Sequence, residues 1–540
     1  MAPVPPATGR AGRPAVESTQ VESTQFDLWR GTPSTTSPRC GRATSRTRSV
    51  GVQTKGALVV DAVVVGAGPN GLAAAVTLAR AGLAVTVYER NDTIGGGART
   101  KELTEPGFLH DVCSAVHPMA LQSEFFRRFG MEDRIELRLP EVQFGHPLDA
   151  GRAGLAYRDI DRTADGLGID GRAYRDLMGP LARHADEVSD FATNALLHVP
   201  RHPVTVLRFG LRALEQGTAL WNRRFQDIVA PAMITGVASH SIQRMPSLAT
   251  AAAALSLGVY AHARGWPVPI GGSQAIVDAL AADLVAHGGT IEVDTEVQRI
   301  EDLPDARAVL FDTSAQGMRR IAGSRLPSSY QRALRRFRFG NAAAKVDFAL
   351  SDPVPWTNPG LRKAGTVHIG GTRAEIAAAE RAVSQGRRHD HPYVLGSEPT
   401  VVDPSRAPEG KHVFWAYAHV PAGSQHDETE AIIRQIERFA PGFRDTIIAS
   451  SSRTAVEMEQ YNPNYVGGDI AAGAATFGQL VRRPTLSPDP WRTPADGVYL
   501  CSESAAPGPG VHGMAGWHAA RSALRHTFHL SEDVDLSPRP

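Results

Sequence analysis

Residues Asp61–Arg99 read DAVVVGAGPNGLAAAVTLARAGLAVTVYERNDTIGGGAR. Ala62 to Val65 is a short continuous apolar run, the pattern of a parallel strand covered on both faces. Gly66, Gly68 and Gly71 follow at once in the spacing GxGxxG. There the first glycine permits a tight strand-to-helix turn, the second lets the backbone approach a pyrophosphate, and the third lets the helix pack closely on the strand. Leu72 to Ala81 is rich in Ala and Leu and reads as a helix. Its N-terminal amides and dipole favour an anion by roughly 0.3–1 kcal/mol when exposed, and Gly82 ends it. Ala84 to Tyr88 reads as the second parallel strand, with Glu89 at its C-terminal end. A carboxylate about 20 residues beyond the glycines bonds ribose hydroxyls and disfavours a 2′-phosphate. The chain holds 52 glycines in 540 residues, so the glycine spacing alone arises by chance about 0.5 times. The order of strand, turn, helix, strand and acid is what identifies an adenine dinucleotide site.

The continuation separates FAD from NAD. Glu89 is followed by Arg90 and then by Ile94, Gly95, Gly96, Gly97, Ala98, Arg99 and Thr100. This resembles the ERxxxxGGxxRT segment of flavoproteins in the phytoene desaturase and amine oxidase superfamily. The resemblance implies FAD as cofactor, with Gly95, Gly96 and Arg99 along its diphosphate and Pro69, Asn70 and Arg90 among its contacts. Arg suits a diphosphate because its planar fork donates two parallel charge-assisted bonds.

Two later stretches extend the resemblance. Gly497 to Cys501 reads as a strand ahead of Glu503 and the turn Pro507-Gly508-Pro509-Gly510-Val511-His512-Gly513-Met514, with a helix from Ala515 to Leu524. In phytoene desaturase-like flavoproteins the equivalent unit meets the flavin end of FAD, which implies contacts from Glu503, Gly510, Val511 and Met514. Backbone N–H groups at such a helix N-terminus stabilise the negative charge of a reduced flavin. Gly508, Gly510 and Gly513 also spell GxGxxG, but no strand with a terminal acid follows in SEDVDLSPRP, so they mark no second dinucleotide site. Trp266 to Ile300 holds a Gly271-Gly272 turn, an amphipathic helix, a Gly288-Gly289 stop and a strand. By resemblance this unit returns the chain to the FAD domain and sets the backbone of Val297 against the adenine.

NPNYVGGDI at Asn462 to Ile470 resembles the signature of one branch of these proteins, named for a pyridine nucleotide-disulphide oxidoreductase domain. The resemblance spans roughly Val60 to Arg525. Disulphide chemistry needs two cysteines close together beside the flavin. The chain has only Cys40, Cys113 and Cys501, with no close spacing, which argues against thiol–disulphide turnover.

Together these segments predict an α/β fold: a Rossmann-like, amine oxidase-like FAD-binding domain with an inserted α+β substrate domain. The FAD-binding parts are 58–139, 265–323 and 480–530. The substrate parts are 140–264, helical in pattern, and 324–479. Apolar residues recur at helical spacing in Tyr174 to Leu197 and Leu207 to Ile234, and alternate as in strands from Ala344 to Leu350 and His412 to His419. After Ile300 many relatives carry an extra β-hairpin; here only EDLPDARAVLFDTSAQ remains, so the adjoining sheet is expected to be trimmed. Val309 to Phe311 supplies a strand and Asp312 to Ser314 a turn beside the cofactor.

With 57 basic and 56 acidic residues and no basic stripe interleaved with aromatics, nucleic acid is not an expected partner. His389, Asp390 and His391 lie in a polar stretch without further nearby His or Cys and read as solvated rather than as a metal site. Residues 1–57, rich in Pro, Ser, Thr and Arg, read as a disordered extension, with 531–540 as a tail. Between Arg39 and Lys55 the extension faintly resembles a transit peptide. The expected location is cytoplasmic, or the mitochondrial matrix if that segment directs import. The longest apolar stretch, Leu248 to Tyr260, is short of the roughly 20 residues a membrane span needs and reads as a buried helix; peripheral membrane contact stays open.

The expected chemistry is a two-electron oxidation of a hydrophobic small molecule, a C–H hydride passing to flavin N5. The alternatives are an FAD-dependent polyene isomerase and a flavin-stabilised interaction protein. His117 and His512 lie near the expected ring position, but neither stands out as catalytic over structural.

Overall fold

The computed structural model describes residues 60–538; the 1–57 extension and the possible transit segment lie outside the described residues. Five parallel strands form the first sheet, in the order Val498–Leu500, Ala308–Phe311, Ala62–Val65, Val85–Tyr88, Thr290–Glu292. Ala62–Val65 is central, pairing with Val85–Tyr88 on one side and Ala308–Phe311 on the other, and it is buried along its whole length. That position explains its unbroken apolar run: both faces are covered, so no polar residue alternates in.

The helix Pro69–Arg80 covers one face. Its last residue, Arg80, reaches Asp283 on the helix Gln274–Ala286 through Nε at 2.8 Å and Nη2 at 2.5 Å, with both side chains buried. A cation in the last turn also complements the helix dipole. The C-terminal helix Met514–Ala523 crosses the start of Pro69–Arg80 at Gly516, where a Cβ would collide with the carbonyl oxygen of Asn70. Between Thr290–Glu292 and Ala308–Phe311 the chain makes only a 3₁₀ turn, Ile300–Asp302.

The second sheet has seven strands in the order Ile447–Arg453, Ala342–Leu350, His412–Val420, Val394–Ser397, Thr366–Ile369, Val142–Pro147, Ala153–Tyr157. All neighbours are antiparallel except Thr366–Ile369 with Val142–Pro147. One face is apolar: Val346, Phe348, Phe414, Ala416, Val367 and Ile369 pack with Ile432, Ile433 and Ile436 of the helix Thr429–Glu437. The other face presents two cross-strand rows. Asp347, Trp415, Ser397 and Thr366 are successive partners in one; Lys345, Tyr417, Leu395 and His368 are successive partners in the next. The strand alternation in KVDFAL and WAYAHV therefore sorts greasy residues from polar and aromatic ones.

The segment 140–264 is helical over most of its length, but it opens with the strands Val142–Pro147 and Ala153–Tyr157, the last two of the second sheet, which the helical reading passed over. All six residues of Val142–Pro147 are buried, so period-two alternation is absent there. The helices that follow include Gly171–Ala182, Pro203–Gln216, Val229–Ala238 and Leu248–Ala263, which stand over the polar and aromatic face. Leu248–Ala263 starts at a capping box between Ser247 and Thr250. Among the described residues, no helix is long and apolar enough to cross a membrane.

Candidate active site

One cavity of about 1680 Å³ runs between the two sheets. Its size exceeds the roughly 300–1,000 Å³ of an ordinary small-molecule pocket. Gly66, Gly68, Pro69, Asn70, Glu89, Arg90, Gly96, Arg99 and Val297 line it, as do Glu503, Gly510 and Val511. Gly71, Gly95 and Met514 do not line it.

The reasons are local. The N–H of Gly71 donates to Asp312 Oδ2 at 3.0 Å, so this glycine serves the packing of helix on turn rather than contact with a ligand. Gly95, in the left-handed region at φ 119°, donates its N–H to Ala67 O at 2.9 Å and pins the second glycine loop against the first. Gly96 faces Gly68 across this junction, where a Cβ would lie 3.2 Å from Gly68 Cα. The Met514 N–H donates to His512 Nδ1 at 3.0 Å, and its side chain is fully buried beside Phe125. The imidazole therefore caps the C-terminal helix, and the amide expected to face a flavin is already paired.

Arg99 is held by several protein groups. Its Nη2 donates to Glu89 Oε1 at 3.2 Å and to Thr93 O at 2.7 Å, Nε to the carbonyls of Thr93 and Ile94 at 3.1 and 3.2 Å, and Nη1 to the Tyr461 hydroxyl at 3.1 Å. Every guanidinium nitrogen has a protein partner, so Arg99, which lines the cavity, also braces the Glu89 turn. Glu89 also accepts from the amides of Ala67 and Asn91, each at 3.0 Å, which fixes its carboxylate at the strand end.

These residues suit FAD on independent grounds. The helix Pro69–Arg80 has Gly68 as N-cap with no side chain of its own and no acid in its first turn; Asp312 Oδ2 takes the Gly71 amide, and an anion can approach along Gly68, Pro69 and Asn70, which line the cavity. Asn70 Oδ1 is buried and has no hydrogen-bond partner among the described residues. Glu503 is half-buried at the cavity, accepts from Gly510 N–H at 3.3 Å, and is pushed up to about 8 by burial.

Several residues at or beside the cavity have roles that the sequence did not specify. Asp312 sits over the glycine turn at the end of Ala308–Phe311; burial pushes it up to about 7, and the Glu89 charge acts in the same direction. Tyr465, from NPNYVGGDI, lies against Gly97, and Asn464 Oδ1 accepts the Ser314 N–H at 2.7 Å. Asp469 in the same motif accepts the amides of Gly340 and Gly473 at 2.6 and 2.9 Å. The signature is thus a loop that ties the substrate-side strands to the cofactor side. His117 lines the cavity with Nε2 held by Ser273 Oγ at 2.8 Å, whereas His512 does not line it. Cys113 lines the cavity, whereas Cys501 is buried and does not line it; both are free thiols, and burial raises each above its ordinary pKa. Among the described residues no cluster of His, Cys, Asp or Glu is arranged to hold a metal ion, and His389 Nδ1 is bonded to His391 O.

This fold and site define an FAD-dependent oxidoreductase. The family described as flavin containing amine oxidoreductase matches residues 70–524, and the chain belongs to it. Among its relatives is "Pyridine nucleotide-disulfide oxidoreductase domain-containing protein 2" of Rattus norvegicus, 24% identical and covering 86% of this chain and 93% of the relative. "Phytoene desaturase (neurosporene-forming)" of Rhodobacter capsulatus is 24% identical over 84% of this chain and 92% of that protein. A putrescine oxidase structure with bound putrescine superposes with a TM-score of 0.57 at 19% identity, covering 87% of this chain and 99% of the other. An oxidoreductase from Methanosarcina mazei gives 0.56 at 17% identity, covering 86% and 100%. These structures share the fold.

Proposed function

We propose that the chain is a dehydrogenase of desaturase type acting on an apolar small molecule, held between the flavin end of the cofactor site and the aromatic face of the seven-stranded sheet. FAD, when bound, supplies the acceptor for a hydride leaving a substrate C–H bond, at its N5. One observation carries this reading. The charged residues lining the cavity are Glu89, Arg90, Arg99, Glu296, Asp312, Arg319, Arg320, Glu459 and Glu503, and all belong to the cofactor segments or to the stretch leading into NPNYVGGDI. The wall contributed by the helices Pro203–Gln216 and Leu248–Ala263 and by the strands is built from Leu207, Phe209, Leu257, Trp266, Leu395, Trp415 and Tyr417, with no charge. A charged substrate would be desolvated there without a counter-ion, at a cost of several kcal/mol.

The residues of the cofactor end, as placed, hold and orient. Glu89 takes ribose hydroxyls, the Gly68–Asn70 helix start beside Asp312 and the Gly68–Gly96 junction take the diphosphate, and Val297 lines the adenine end. Glu503, Gly510 and Val511 bound the flavin end.

The entrance supports a peripheral contact with a lipid surface. Leu207, Leu211 and Leu214 on the helix Pro203–Gln216 line the cavity mouth and are 64%, 58% and 49% exposed, with Val204 beside them. Their spacing makes one outward apolar stripe, and an apolar substrate can pass along it from a bilayer to the cavity.

Anaerobic incubation of the FAD-loaded protein with fractionated apolar metabolites tests the reading. Bleaching of the flavin by an apolar fraction supports it. Bleaching only by polar amines argues for an amine oxidase, and reduced-flavin turnover without an acceptor argues for an isomerase.

A further inference from the structure

Resting on the reading of an apolar substrate cavity, we propose that His240 and Tyr417 form an uncharged hydrogen-bonding subsite that holds a carbonyl or hydroxyl oxygen of that substrate.

Both residues line the cavity on its uncharged wall. His240 belongs to the 3₁₀ turn Ser239–Ser241 and stands edge-on to Trp266, with ring centroids 5.7 Å apart. Its Nε2 meets His368 Nε2 at 2.9 Å. Its Nδ1 has no hydrogen-bond partner among the described residues and is not among the nitrogens sealed from solvent. Tyr417 stands edge-on to Trp415, with centroids 5.1 Å apart, and its hydroxyl likewise makes no hydrogen bond among the described residues.

The proton positions follow from accounting for every nitrogen. His368 Nδ1 is buried without a partner, so a proton there would be an orphaned buried donor, the rarer and costlier arrangement. His368 therefore carries its proton on Nε2 and donates to His240 Nε2. His240 then carries its own proton on Nδ1 and presents an N–H to the cavity. His146, packed against the same Gly236, keeps its proton on Nε2 for Gly371 O at 2.7 Å and adds no charge. Burial holds His240, His368 and His146 below the ordinary imidazole pKa, so the cluster is neutral.

An N–H donor and, on the same wall of the cavity, a hydroxyl that can donate or accept match an uncharged oxygen. An ammonium group, which only donates, has no complement at His240. The aromatic pair does not offer a vacant cation cage, because Lys345 Nζ already lies 5.7 Å from the Trp415 ring centroid and is paired with Asp347. A carboxylate finds no cation on this wall.

The test uses FAD-loaded full-length protein and three probes of one chain length, decan-2-one, decane and decylammonium, titrated calorimetrically while the flavin spectrum is followed. The ketone is expected to bind about tenfold more tightly than the other two, the size of one well-made hydrogen bond. His240→Phe is expected to abolish that ratio, and His240→Gln, which keeps an N–H, to restore part of it. Tyr417→Phe reports on the same subsite should His240→Phe fail to fold. Equal or tighter binding of decylammonium, or a ratio that survives in both His240→Phe and Tyr417→Phe, overturns the proposal. If all three probes bind alike, only the oxygen subsite fails. If none binds while the flavin stays in place, the apolar-substrate reading fails with it.

Discussion

Asp312 Oδ2 accepts the backbone N–H of Gly71 at 3.0 Å, which places a carboxylate at the start of the helix proposed to receive the diphosphate. Burial first, and the neighbouring charge of Glu89 second, push this carboxyl up to about 7, while the amides of Gly71 and Gly68 pull the other way. A diphosphate adds further negative charge and favours the protonated acid still more. FAD binding is therefore coupled to proton uptake at Asp312: affinity is highest below pH 7 and falls as pH rises, by up to about tenfold per unit. Fluorescence titration of apoprotein with FAD from pH 6 to 9 checks this. Asp312→Asn is expected to flatten the profile and to bind FAD more tightly than the parent at pH 8.5.

If Arg99 braces the Glu89 turn, its loss damages the apoprotein before any cofactor arrives. Arg99→Ala leaves a buried carboxylate without its cation, a change typically worth about 3–5 kcal/mol. Thermal unfolding without FAD is expected to shift downward by several degrees, and Arg99→Lys to recover less than half of the loss, because an ammonium cannot serve Glu89, two carbonyls and Tyr461 together. Unchanged apoprotein stability with weakened FAD binding would instead identify Arg99 as a direct diphosphate ligand.

Gly516 is the point where the C-terminal helix crosses the cofactor helix. A Cβ there collides with the Asn70 carbonyl, which is rigid backbone inside a helix. Gly516→Ala is expected to destabilise by about 1–3 kcal/mol and to lower FAD affinity, because it displaces Pro69 and Asn70 together. Gly166→Ala, where a Cβ meets nothing within 4 Å, is the matched control and should leave FAD affinity unaltered.

The leucine stripe at the cavity mouth predicts a lipid contact. Co-sedimentation with phosphatidylcholine vesicles is expected to retain the parent protein and to lose most of the binding in the double variant Leu207→Glu, Leu211→Glu, while FAD content stays constant. Parent protein that remains wholly in the supernatant counts against the contact.

What was legible in the sequence was what local chain geometry decides. Gly66, Gly68 and Glu89 are read from one βαβ unit, because a turn, a helix start and a strand end each leave their mark within a few residues. The strands at Ala342–Leu350 and His412–Val420 announced themselves because only one face of that sheet is greasy. Val142–Pro147 did not, being buried along its whole length. Asp312 reaches Gly71 across 241 residues, and no pattern around either one signals the other. His240 and Tyr417 meet the same cavity only through packing of a helical turn on a sheet whose register cannot be read from either segment. Arg99 shows the converse: the motif located it at the cofactor end, but the direction of its donors depends on Tyr461, 362 residues away.

The most direct test of the central claim is an anaerobic flavin titration. Protein loaded with FAD and freed of excess cofactor is mixed, without oxygen, with the organic-phase extract of the source cells and followed at the flavin absorption bands. The account predicts retention of one FAD per chain and loss of the oxidised flavin bands on addition of an apolar fraction, with the oxidised spectrum returning when an electron acceptor is supplied. A flavin that every apolar fraction leaves oxidised, while a polar amine fraction bleaches it, contradicts the account.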